Sequence, residues 1–179
     1  MPSDEELIQG CLRNEPESQE LFYKRFAPRM YGVCMRFAKN QMEAEDILQE
    51  GFIRVFVNLK TYRGEGSLEG WIRRTIVNTA INLYKKNLKH LKDTDIEAAG
   101  GFSGEEENAL DKLSLMELLQ IIQDLPDGYR MVFNLNAIDG YTHREIGEML
   151  DISENTSKSQ LSRARNALKK KINNLEEEK

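Results

Sequence analysis

The chain has 179 residues, 40% apolar and 31% charged, enough for one ordinary domain or two small ones with folded cores. No run approaches the roughly 18 to 20 apolar residues of a membrane helix, and the start Met1-Pro2-Ser3-Asp4-Glu5-Glu6 is acidic where a signal peptide would be basic. A cytoplasmic protein without membrane insertion is expected, and the net charge of −5, taken alone, weighs against nucleic acid as a partner.

In chain order, Leu7, Ile8, Cys11 and Leu12 have helical spacing, as do Leu21, Phe22, Phe26, Met30, Val33, Cys34 and Phe37. Pro28 should kink or split that second helix. A third helix near Met42 to Leu59 places Leu48, Phe52, Val55, Phe56 and Leu59 on one face and Asp46, Gln49, Glu50 and Arg54 on another. Gly51 in its middle weakens it by roughly 1 kcal/mol relative to Ala.

Thr61 to Ser67 contains Gly64 and Gly66 and reads as a loop. Ser67 can cap the next helix, which runs through Leu68, Trp71, Ile72, Ile76 and Ile81 to about Leu91. A single Trp on such a stripe is expected in the core. The stretch 93–109 is acidic and carries Gly100-Gly101 and Ser103-Gly104, the composition of a flexible linker. It separates residues 1–92 from residues 110–179, and so implies two small helical domains.

Beyond the linker, Leu110 to Leu125 repeats Leu and Ile at helical spacing, Pro126 suits a first helical turn, and Tyr129 to Ile138 forms the next stripe. Nothing alternates like a strand, so the class is all-α. Thr142 with Glu145 three positions later fits a capping box, and Asp151-Ile152-Ser153 interrupts the helix that follows. Ser153 can cap a last helix from Glu154 through Lys171, where Leu161, Ala164 and Leu168 share a face that Ile146, Leu150 and Ile152 would meet.

Two short amphipathic helices joined by a tight turn, the second ending basic, match the helix-turn-helix, whose second helix enters the major groove. Thr156, Lys158, Ser159, Gln160 and Ser162 become candidate base readers, with Arg163 and Arg165 where phosphates would lie. The charge distribution agrees. Residues 60–92 carry a net +6, and residues 155–172 carry six cations and no acid.

At these residues the segment Glu145-Ile146-Gly147-Glu148-Met149-Leu150-Asp151-Ile152-Ser153-Glu154-Asn155-Thr156-Ser157-Lys158-Ser159-Gln160-Leu161-Ser162-Arg163-Ala164-Arg165 resembles the region-four promoter reader of sigma factors. Ala44-Glu45-Asp46-Ile47-Leu48-Gln49-Glu50-Gly51-Phe52-Ile53-Arg54-Val55-Phe56, continued by Tyr62-Arg63-Gly64-Glu65-Gly66-Ser67-Leu68-Glu69-Gly70-Trp71-Ile72, resembles region two. Two matches in the family's order, with no extra central domain, resemble the extracytoplasmic-function group of the sigma-70 family.

That resemblance implies a region-two helical bundle and a region-four helix-turn-helix that carry core RNA polymerase to −10 and −35 promoter elements. It implies that Asp46, Gln49, Glu50 and Arg54 dock on the clamp of the largest polymerase subunit, with region four on the flap. The −10 element would be held by Tyr62, Arg63, Gly64, Ser67, Arg73, Arg74, Asn78, Asn82, Lys85 and Lys86. An anti-sigma factor is a further partner the resemblance admits. No catalytic residue, cofactor or metal is expected, since polymerase performs the phosphoryl chemistry.

Three positions depart from the family. Ser157 stands where Val is usual, Gln160 where Arg is frequent, and Asn82 where Asp is common. They bear on which promoter is read, and Ser157 would loosen the reading helix if it replaces a buried apolar group.

Cys11 and Cys34 form no C-x-x-C pattern and read as buried free thiols. The competing readings are a helix-turn-helix regulator with an N-terminal ligand-binding or dimerisation domain, an adaptor that uses the same surfaces on protein, and a helical enzyme with Glu43, Glu45, Asp46 and Glu50 as metal carboxylates. The enzyme lacks a Glu-x-x-His pair and a phosphate loop.

Overall fold

The computed structural model describes residues 2–93 and 115–177. Among them lie eight α-helices and no strand, which is the expected all-α class. They are α1 (Asp4–Leu12), α2 (Pro16–Phe37), α3 (Gln41–Asn58), α4 (Leu68–Asp93), α5 (Leu115–Gln123), α6 (Asp127–Phe133), α7 (His143–Leu150) and α8 (Glu154–Glu177). A 3-10 turn (Leu59–Thr61) follows α3, and a π-helical turn (Asn134–Ile138) follows α6. From residue 94 the acidic linker, and with it residues 110–114 of the expected next helix, lies outside the described residues.

Packing divides the chain into Met1–Asn82 and Leu83–Lys179, so the division falls within α4, where the sequence places it after Lys92. In the first unit, α1 opens on a capping box in which Ser3 Oγ accepts the Glu6 N–H and the Ser3 N–H donates to Glu6. Leu7 and Cys11 turn inward, whereas Leu12 stays exposed.

Proline 28 does not split α2, which is continuous from Pro16 to Phe37. An internal proline costs about 3 kcal/mol. Phe22, Phe26, Met30, Val33 and Phe37 are buried on either side of it, each contributing roughly 1.5–3 kcal/mol, and this burial outweighs the lost hydrogen bond. Leu21, which shares the expected stripe, is exposed at its edge.

Asn40 caps α3 by accepting the Glu43 N–H. The inward face of α3 carries Ile47, Leu48, Phe52 and Val55, and its aromatic end meets α2, with the Phe22 and Phe56 rings 5.5 Å apart and those of Tyr23 and Phe52 4.7 Å apart. Gly51 has a packing reason. A Cβ there would lie 2.3 Å from Ile76 Cδ1, so its absence lets α4 close on α3. Ile72, Ile76, Val77 and Ile81 complete this core.

In the second unit α8 packs against α5, α6 and α7. Pro126 stands at the N-cap of α6, one position before its first turn. Arg130 is buried, donates to the carbonyls of Gln123 and Leu125 at the end of α5, and pairs with Asp127 at 2.6 Å. It thereby bonds the carbonyl of the last residue of α5 and one in the turn that follows, where a helix end leaves carbonyls without intrahelical partners.

Candidate nucleic-acid and polymerase interfaces

On α3, Asp46, Gln49 and Glu50 are exposed, as the helical spacing requires. The same outward face carries three large apolar residues that sequence reading missed: Met42 (74% exposed), Ile53 (59%) and Val57 (66%). Their positions interleave with the acids at three- and four-residue steps, so charge and apolar surface alternate along one stripe. Arg54 is half-buried beside that stripe. It pairs with Glu50 at 2.9 Å and lines a groove against α4.

That groove, about 380 Å³, is bounded by Arg54, Asn58, Thr61, Trp71, Arg74, Thr75, Asn78, Thr79 and Asn82. The Thr75 and Thr79 hydroxyls donate to the carbonyls of Trp71 and Thr75, the Asn58 amide to that of Arg54 and the Thr61 hydroxyl to that of Asn58, whereas the Asn78 and Asn82 side chains are exposed. Trp71 is a correction to the expected core position. Leu68, Ile72 and Ile76 hold the buried stripe, whereas Trp71 is half-buried at the groove with its ring 5.7 Å from that of Tyr62. Trp71, Thr75, Asn78 and Asn82 step by four, three and four, a spacing that could have revealed this face from the sequence.

The loop before α4 is tied internally. The Tyr62 hydroxyl donates to the Gly66 carbonyl at 2.9 Å, and Gly64 and Gly66 take the left-handed φ values of 74° and 84° that favour glycine. Ser67 Oγ accepts the Gly70 N–H at 3.0 Å and caps α4 as expected. Arg63, Gly64 and Ser67 stand exposed around it. Of the other expected −10 residues, Arg74, Asn78, Asn82 and Lys86 are exposed and Arg73 is half-buried. Lys85 lies within the second unit and pairs with Asp151 at 2.6 Å.

The second unit contains the expected helix-turn-helix. Thr142 and Glu145 form a full capping box, and the Thr142 backbone N–H and hydroxyl hold the Glu145 carboxyl below the usual carboxylate range. Asp151 ends α7 in the left-handed region at φ 56°, and the Ile152 N–H returns to the Gly147 carbonyl at 3.0 Å. A Cβ on Gly147 would meet the Ile152 carbonyl oxygen at 2.8 Å, so the turn can be this tight only over glycine. Ser153 caps α8 by accepting the Thr156 N–H at 3.0 Å.

Along α8, Ser157, Leu161 and Ala164 are buried, and Leu168 is half-buried beside them. Lys158, Ser159, Ser162, Arg163 and Arg165 are exposed, and Asn155 and Asn166, absent from the expected readers, share that surface. Thr156 and Gln160 differ from the rest. Both are half-buried. Thr156 Oγ1 is bonded to Ser153, and the Gln160 amide lies against Gly128 of α6, which leaves it less free to reach a base edge.

The cations are less isolated than their sequence block suggests, because acids outside the block reach in. Lys158 pairs with Glu154 at 2.7 Å and Lys171 with Asp124 at 2.6 Å. Lys158 and Glu154 are both more than half exposed, and such a pair contributes little and yields readily to phosphate. Arg163, Arg165, Lys169 and Lys170 stay on the surface. Among the described residues no group of three or more His, Cys, Asp or Glu could hold a metal ion, and Glu43 and Glu45 bond to the Lys39 N–H and to Gln41. No described helix is long and apolar enough to cross a membrane.

Comparison with known proteins agrees with this arrangement. Residues 22–89 match Sigma-70 region 2 and residues 115–168 match Sigma-70, region 4. The chain is 33% identical over 161 residues to the ECF RNA polymerase sigma factor SigW of Bacillus subtilis, covering 84% of this chain and 86% of that protein. It is 26% identical over 183 residues to the RNA polymerase sigma-H factor of Pseudomonas aeruginosa, covering 96% and 95%. Among solved structures, the sigma factor RpoE of Bartonella quintana, crystallised with the anti-sigma factor NepR, shares the fold at a TM-score of 0.55 and 18% identity, over 86% of this chain and 96% of that one. With a groove-bearing region 2 followed by a capped helix-turn-helix in region 4, the chain belongs to the extracytoplasmic-function RNA polymerase sigma factors of the sigma-70 family.

Proposed function

We propose a division of labour among three surfaces of this sigma factor, which binds core RNA polymerase and directs initiation at chosen promoters. The α3 stripe of Asp46, Gln49 and Glu50, reinforced by Met42, Ile53 and Val57, docks on the clamp of the largest polymerase subunit. Anionic groups give such an interface orientation, and exposed apolar side chains give it area to bury. Leu115, Met116 and Leu118 of α5, all exposed, are the corresponding apolar surface for the flap.

The groove between α3 and α4 and the Tyr62–Ser67 loop hold the unpaired −10 strand. An unstacked base needs an aromatic surface, amides for its edge and cations for its backbone. Trp71 with Tyr62, Asn78 with Asn82, and Arg54 with Arg74 supply these three. The coincidence of Trp71, the two amides and the two guanidinium groups in one cleft, with the Tyr62 ring beside Trp71, is the observation that carries the reading.

The exposed face of α8 reads the −35 duplex, with Lys158, Ser159 and Ser162 toward base edges and Arg163 and Arg165 on phosphates. Residues 1–92 and 110–179 then work on separate elements across the segment between them. Polymerase carries out bond formation, so this chain needs no catalytic group, cofactor or metal. A cytoplasmic setting follows from that partnership. An anti-sigma factor, the partner named for the Bartonella quintana protein, is the expected regulator.

The test is reconstituted transcription. Core polymerase with this chain initiates from a selected promoter, and unchanged initiation on its addition would refute the reading. The variant Asp46→Lys/Glu50→Lys binds core at least about tenfold more weakly while the isolated chain keeps its helical content. Undiminished affinity would remove α3 from the interface.

A further inference from the structure

Ser157 is the first inward-facing residue of α8, with Leu161 and Ala164 following on the same face, and it is fully buried. A hydroxyl in that position carries a desolvation cost unless it is bonded. Its partner is His143, the first residue of α7, whose Nδ1 stands 2.9 Å from Ser157 Oγ. The bond closes in either sense, since a neutral Nδ1 accepts from the hydroxyl and a protonated one donates to it.

This contact joins the two helices of the helix-turn-helix, and it differs in kind from its surroundings. Ile146 and Leu150 on α7 and Leu161 and Ala164 on α8 are buried and apolar. Apolar contact is non-directional and tolerates small rotations of one helix on another. A hydrogen bond weakens steeply away from its preferred distance and angle. Lys158, Ser159 and Ser162 turn with α8, so the rotation that keeps this bond also aims those side chains.

We propose that His143 and Ser157 form a directional lock that sets the rotation of α8, and that discrimination among −35 sequences depends on it. Both are positioning residues, acting through the exposed side chains of α8 and touching no base. The lock accounts for a polar residue at a fully buried position, because the Ser157 hydroxyl has a partner across the motif. It rests on the reading of α8 as the −35 reader.

The test uses holoenzyme assembled from core polymerase and the full chain. Duplexes randomised at −35 beside a constant −10 element are selected, and the enrichment of the preferred sequence is measured. S157A removes only the hydroxyl oxygen, H143F keeps a ring without polar atoms, and H143N offers a polar atom close to the place of Nδ1.

Enrichment is expected to fall about three- to tenfold in S157A and H143F and to stay within about twofold of the parent in H143N, with non-selective duplex affinity unchanged in all three. Parental enrichment in both S157A and H143F would overturn the lock, as would an H143N no better than H143F. A parent holoenzyme that selects no −35 sequence would instead overturn the reading of α8 on which the lock stands.

Discussion

Cys34 is fully buried in α2, and burial pushes its thiol up to about 12. In the unfolded chain the same thiol ionises near its ordinary value of about 8.5. The folded form thus favours the protonated state. The associated stability is fully present below about pH 8.5 and is lost as pH rises from there toward 12. Cys11 is buried as well, and desolvation raises its thiol too. A thiol-specific reagent at pH 8 is therefore expected to modify neither cysteine except at the rate of unfolding. Rapid native-state labelling of Cys34 would contradict this burial. The sequence anticipated both free thiols, because an isolated cysteine on an apolar helical stripe behaves as a small hydrophobe.

At the scale of elements, the helix-turn-helix depends on two local devices. The first is the close approach at Gly147. In Gly147→Ala the new Cβ meets the Ile152 backbone carbonyl, which no side-chain rotation can clear, and the cost is about 1–3 kcal/mol despite the better helix propensity of alanine. Chemical denaturation checks this, and a variant as stable as the parent would show that the turn relaxes freely. Gly51→Ala is a milder case, since its obstacle is the end of the Ile76 side chain. The second device is the capping box on α7. Because the Glu145 carboxyl is held below its ordinary range, its contribution is present above about pH 4.3 and is lost as pH falls through the lower folded value. Thr142→Ala removes the cap and should lower the thermal midpoint by about 4 °C at pH 7. That difference should narrow on acidification through the same window, and a pH-independent difference would assign the effect to something other than the carboxylate.

For the whole molecule, a net charge of −5 is reconciled with nucleic acid by segregation of charge, and acids from outside the basic blocks temper that segregation. The measurable consequence is salt dependence. Arg163 and Arg165 are exposed on α8, and each phosphate contact contributes about 0.9 to the slope of log affinity against log salt. Arg163→Ala or Arg165→Ala should reduce the magnitude of that slope for duplex binding by about one, with little change in which −35 sequence is preferred. A lost preference with an unchanged slope would make the residue a base reader instead.

Several features were legible in the chain by itself because each rests on near neighbours. Helical spacing marked the buried faces of α2, α3 and α8, and Ser67, Thr142 and Ser153 announced the starts of their helices through bonds three residues long. The motifs around Asp46 and Gly147 carried the family. What faces what was decided only in three dimensions. Periodicity assigns a residue to a side of its own helix and says nothing of the surface opposite. Trp71 therefore stands at a groove with Arg54 and Asn58 from α3, Gln160 rests on Gly128, and glycine at 51 makes room for the Ile76 side chain of α4. The fully buried hydroxyl of Ser157 is satisfied by a histidine fourteen residues away. Pairings of this kind depend on the distance between helices, a quantity set by the packing of whole elements and absent from any local stretch of sequence.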